Sequence, residues 1–159
     1  MSNPNELSLR HAVATLAYRG NRALRGATAE FAVFQIGSAT RQPAQILAHV
    51  GDLLDWALSI VNGNATWHNS TPLPWDQEVA RFFRALETLD RRLASAEPLA
   101  CPANKVFQGP IADALTHVGQ ISMLRRLAGQ PAGGENFFIA EIVEGRVGPD
   151  QAKPLREFD

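Results

Sequence analysis

The chain is poor in several things, and each scarcity removes a class of explanation. It has one cysteine, Cys101, in 159 residues; no internal disulfide can staple the fold, and apolar burial has to hold it. It has no basic block. Lys and Arg number 15 against 16 Asp and Glu, the formal charge is -1, and the largest basic groups are the pairs Arg91-Arg92 and Arg125-Arg126. A face that tracks nucleic-acid phosphates needs more concentrated positive charge, so no such partner is expected. No apolar run approaches the roughly 20 residues of a membrane span. The opening MSNPNELSLRHAVATL also lacks a basic stretch followed by an apolar one, as a secretory leader would have. These features predict a soluble, cytoplasmic protein with no membrane association. Cys101, Pro-flanked and without a cationic neighbour in sequence, is not expected to be a reactive thiolate.

What is present is hydrophobic patterning. With 45% hydrophobic residues the chain can bury one real core, and residues 1–159 are expected to form a single domain. From about Glu6 to Leu24, the residues Leu9, Val13, Leu16, Gly20 and Ala23 fall on one helical face. A second helix is predicted from Pro43 to about Val61, capped by Ser38 or Thr40, with the stripe Ile46, His49, Leu53, Trp56 and Ile60 turned inward. NGNATWHNSTPLPW is a run of turn formers and the longest clear connection. The third helix, from about Trp75 to Ser95, carries Trp75, Val79, Phe82, Leu86, Leu89 and Leu93. The fourth runs from Phe107 or Gly109 to Ala128, with Gly129 as its stop and Ala114, His117, Ile121, Leu124 and Ala128 facing inward. NFFIAEIVEG reads as a short fifth helix packing Phe137 or Phe138, and the chain from about residue 146 as a loosely held tail. Four amphipathic helices without strand alternation predict an all-α four-helix bundle.

Within DALTHVGQ, an acid one turn before a histidine occupies an otherwise ordinary helix. At about 100° per residue, Asp113 and His117 are separated by roughly 40° and share a face. His49 lies on the inward stripe of a different helix. If the two helices meet at that level, two imidazoles and a carboxylate converge in the core, where burial is expensive unless a divalent cation turns them into ligands. Three protein ligands leave positions open for water or substrate. The set accepts zinc, nickel, iron(II) or manganese. Gln120, one turn after His117, is placed to hydrogen-bond a bound water or an imidazole nitrogen; Asp52 is placed to orient His49, and Trp56 to wall a substrate cavity. His11 and His68 are expected to face solvent. Two other readings use the same residues. One is a non-catalytic dimeric helical bundle mediating protein interactions, with His49, Asp113 and His117 sharing protons and no metal; the other is non-haem iron oxygenation.

Two segments carry a family resemblance: ILAHVGDLLDWAL around His49, and THVGQISMLRRLAGQP, with its Gly119-Gln120 pair and Leu124-Arg125-Arg126-Leu127-x-Gly129 ending. With the long loop between the second and third helices, they resemble the DinB superfamily, also called DinB/YfiT-like metalloenzymes. The resemblance implies an up-down-down-up four-helix bundle, a homodimer, and a divalent metal held by three histidines, one from the second helix and two spaced i and i+4 on the last. His49 and His117 match two of these; the earlier member of the pair is Asp113 here. Among related activities the resemblance implies thiol-dependent transfer, with a low-molecular-weight thiol as cosubstrate, ahead of hydrolysis.

Overall fold

The computed structural model describes residues 8–158. Helix α1 spans Leu9–Leu24, and Ser8 caps it by accepting a hydrogen bond from the His11 N–H; the expected start at Glu6 lies outside the described residues. Helix α2 spans Pro43–Val61 with Pro43 at its first position, where a missing N–H is harmless. Its cap is neither Ser38 nor Thr40. Gln42 and Gln45 satisfy each other's backbone in a capping box, and Thr40 closes a turn onto Gly37 instead. Helix α3 spans Trp75–Ala94, with Asp76 and Glu78 in its first turn and Arg91 and Arg92 in its last, complementing the dipole at both ends.

The last long helix begins earlier than its periodicity suggests. Helix α4, Ala103–Val106, runs through a π-helical segment, Phe107–Ile111, into α5, Ala112–Leu127. Pro110 sits inside that segment, and the Ala112 N–H reaches back to the Phe107 carbonyl, five residues away. A proline has no N–H for the ordinary ladder, and the wider turn lets the helix continue past it. Gly129, at φ 74°, ends α5 in the left-handed conformation.

The protein is all-α in its main elements. Helix α2 packs against α3 and α5, and α1 packs against the same two helices. Leu16, Leu47, Leu54, Phe82, Leu86, Leu89, Ile111 and Ile121 are fully buried between them. The faces expected of α1 and α3 are the buried ones. Helix α2 is turned part-way from its expected face: Ile46 and Leu53 are buried as expected, but Leu47, Val50, Leu54, Ala57 and Val61 are the fully buried residues, whereas His49, Trp56 and Ile60 are only half-buried. The reason is that α2 is apolar over most of its circumference, so periodicity alone leaves its rotation open. By length and composition α2 could cross a membrane, although most of it is buried within this fold.

The C-terminal stretch also departs from expectation. NFFIAEIVEG forms only a single 3-10 turn, Phe137–Ile139; Phe138 is 96% exposed, and Phe137 packs on Tyr18. The chain beyond residue 146 is tied down: Val147 is buried, and β2 (Glu157–Phe158) pairs antiparallel with β1 (Gly134–Glu135). Two-residue strands and one buried valine leave no periodic signal to read.

Candidate metal centre

Helices α2 and α5 meet at the level of His49 and His117. His117 Nε2 lies 3.4 Å from one carboxylate oxygen of Asp113, and His49 Nε2 lies 3.9 Å from the other. The imidazoles stand edge to face with ring centroids 4.7 Å apart. Within the three residues, one ligand atom each lies within 4.8 Å of the other two. The π-helical segment ends just before Asp113 and sets the phase with which α5 presents these side chains.

The position differs from the expected one in depth. The group sits at the edge of the core: the side chains of His49 and His117 are 23% and 13% exposed, and that of Asp113 is 49% exposed. The rotation of α2 places His49 on the shoulder of that helix, and Asp113, in the first turn of α5, is the most exposed of the three. A small molecule can therefore reach the group directly.

The donor set fits a divalent cation. Gln120 Oε1 lies 2.9 Å from His117 Nδ1; with Nδ1 donating to that amide oxygen, Nε2 is the ring nitrogen that faces Asp113. Burial holds His49 below its ordinary pKa, helped by His117 and the Arg41 cation and opposed by Asp113 and Asp52, which favours the neutral, ligating imidazole. Ligands about 2.0–2.2 Å from one metal lie about 3.0–3.5 Å apart. The His117–Asp113 separation already fits, and His49–Asp113 needs to close by about half an ångström.

Of the three supporting residues named from sequence, Gln120 is where it was expected. Among the described residues Asp52 makes no hydrogen bond to His49, although its charge reaches the ring. It is buried, accepts from the backbone N–H and hydroxyl of Ser70 at 2.8 and 2.6 Å and from Arg81 at 2.7 Å, and lies 3.0 Å from His68 Nε2. The Arg81 guanidinium crosses α2 at Gly51, where a Cβ would lie 2.7 Å from its Cζ. Asp52, Asp55 and His68 are close enough to hold an ion, but Arg81 is already within 2.8 Å of both carboxylates and supplies the charge a metal would bring. His68 is thus half-exposed but engaged, and His11 faces solvent.

Trp56 does not wall the cavity beside the histidines. That cavity, about 480 Å³, is bounded by His117, Gln120, Ile46, Leu124 and Leu127, with Arg41 as its cation. Trp56 instead meets Trp67 edge to face at 5.9 Å, and Trp67 meets His49 in the same way at 5.7 Å. Trp67 was missed because its segment reads as a polar loop; a large aromatic among turn formers was the available signal. Comparison of the chain with protein-family models, with curated proteins and with solved structures finds no match.

Proposed function

We propose that the protein is a divalent-metal-dependent enzyme acting on a small molecule, with the ion held by His49, Asp113 and His117, and with thiol-dependent transfer ahead of hydrolysis as its reaction. The observation that carries this reading is the convergence of three ligand-type side chains from two helices on one point. The scaffold is proposed to be a DinB-like four-helix bundle of up-down-down-up topology. The packing order α1, α3, α2, α5, closing on α1, supports it, because sequence neighbours α1 and α2 then face each other diagonally.

A divalent cation at this point supplies charge that lowers the pKa of a coordinated water or thiol, giving a nucleophile near neutral pH. The chain's own groups supply orientation. Gln120 holds the His117 ring through Nδ1, and Trp67 covers one side of His49. Ile46, Leu124 and Leu127 offer an apolar wall to the substrate body, and Arg41 offers a charge to an anionic end. Zinc, nickel, iron and manganese all suit two imidazoles and a carboxylate. A cytoplasmic homodimer completes the proposal; the exposed Ile36, Met123 and Leu127 beside the cavity are apolar surface that a second copy would cover.

Metal content per chain, measured by elemental mass spectrometry on untagged protein, tests the site. Wild type is expected to carry close to one ion, and His117→Ala and Asp113→Ala to lose most of it with helical circular dichroism intact. Wild type that holds no metal and takes up neither zinc nor nickel on addition would reject the site.

A further inference from the structure

A second cleft lies on the far side of α5 from the histidines. Positions 113, 117, 120 and 124 of α5 face the candidate metal centre or the cavity beside it. Positions 115, 119, 122 and 126 line a cleft of about 370 Å³ between α5, α1 and the approach to β1. The two sets are offset by two residues, about 200° around the helix. They share α5 and no side chain.

This cleft is basic. Arg19, Arg22 and Arg126 line it together with Ser122, and Phe137 also borders it. Arg22 has acidic neighbours, with Nη1 2.8 Å from Glu157 and Nε 3.8 Å from Glu135, yet its buried Nε has no hydrogen-bond partner. Among the described residues neither Arg19 nor Arg126 takes part in an ion pair. Arg19 is positioned over the Phe137 ring, 3.6 Å from its centroid, which leaves the guanidinium edge for another partner. Glu135 and Glu157 match Arg22, and Glu135 also acts on Arg19, but three guanidiniums line the cleft, and an oxyanion there would engage paired N–H donors.

Gly119 points the same way. Glycine weakens a helix interior, and two other helical glycines have a packing reason: a Cβ on Gly20 would strike Phe82, and one on Gly51 would strike Arg81. At Gly119 nothing lies within 4 Å of a Cβ. The missing side chain leaves open volume in the wall of the cleft.

We propose that this cleft is a binding site for a small ligand carrying a phosphate-type oxyanion, held by Arg19, Arg126 and the Ser122 hydroxyl. The site is independent of the metal centre and stands whether or not the chain binds metal. The arginines recognise the anion by charge and paired donors, and Phe137 offers its neighbouring ring to the rest of the ligand.

The test is a titration of the full chain with inorganic phosphate at low ionic strength, followed by calorimetry and by the arginine Nε–H resonances in NMR. One saturable site is expected, shifting Arg19 and Arg126. The double variant Arg19→Gln/Arg126→Gln should weaken it at least about tenfold, and Gly119→Leu should do the same by filling the cleft in an intact helix. Arg10→Gln, which removes a cation paired with Asp90 elsewhere on α1, should leave it unchanged. A response that does not saturate, or one that survives both cleft variants, would overturn the proposal. So would acetate binding as tightly as phosphate.

Discussion

Asp52 accepts three hydrogen bonds while buried beneath the loop between α2 and α3, two from Ser70 and one from Arg81. Burial pushes its carboxyl pKa up, but the hydrogen bonds from Ser70 and Arg81 pull it below its ordinary value. Because the folded value is the lower one, the carboxylate stabilises the protein above the unfolded pKa of about 4, and that contribution is lost as pH falls through the folded value. Asp52→Asn should therefore cost about 2 kcal/mol at neutral pH and flatten the acid limb of a stability–pH profile measured by urea unfolding. A variant with the wild-type acid limb would place the acid sensitivity elsewhere. At this scale, the shared face of Asp113, His117 and Gln120 on α5 was legible because helical spacing fixes it, whereas the meeting of His49 on α2 with them was conditional on helix packing that no spacing gives. The ties among Asp52, Ser70 and Arg81 were not legible, since they join residues that no periodicity relates.

Gly20 shows what an element demands of its neighbours. A Cβ there would lie 2.7 Å from Phe82 Cε1, so α1 and α3 approach each other through an aromatic ring seated on bare backbone. Gly20→Ala raises helix propensity but forces the fully buried Phe82 to move, and a net loss of about 1–3 kcal/mol is expected in chemical denaturation. A neutral or stabilised variant would mean that the contact relaxes freely. Helices α1 and α3 could be read from sequence because each has one apolar face and a clear end. The rotation of α2 could not, because nearly every side of it is apolar. The π-helical turn escaped for a different reason: a helix expected to begin at Phe107 or Gly109 holds Pro110 in its first turn, and the burial of Val106 and Ile111 that accompanies the longer helix leaves no periodic signal.

Across the whole molecule, the C-terminal segment closes the structure over α1. Tyr18 donates to Glu135 at 2.7 Å, Arg22 pairs with Glu157 at 2.8 Å, and Val147 is buried. Ending the chain after Arg146 removes the last two of these contacts. Loss of one buried valine and a partly exposed ion pair is worth about 2 kcal/mol, so the thermal midpoint should fall by about 4–8 °C; an unchanged midpoint would show that the segment adds no stability. The loop between α2 and α3 matters at the same scale, because it carries Trp67 across the fold to the ring of His49. Of the three tryptophans, Trp67 touches His49, Trp56 touches Trp67, and Trp75 packs away from them on Phe31. The chain thus contains its own optical gauge. An open-shell ion such as nickel(II) settling at His49 would quench the Trp67 emission at van der Waals range, whereas closed-shell zinc would leave most of it, and Trp75 would supply a steady reference. Occupancy and the electronic character of the ion could then be followed together in a cuvette, with no label added, and Trp67→Phe would silence the signal.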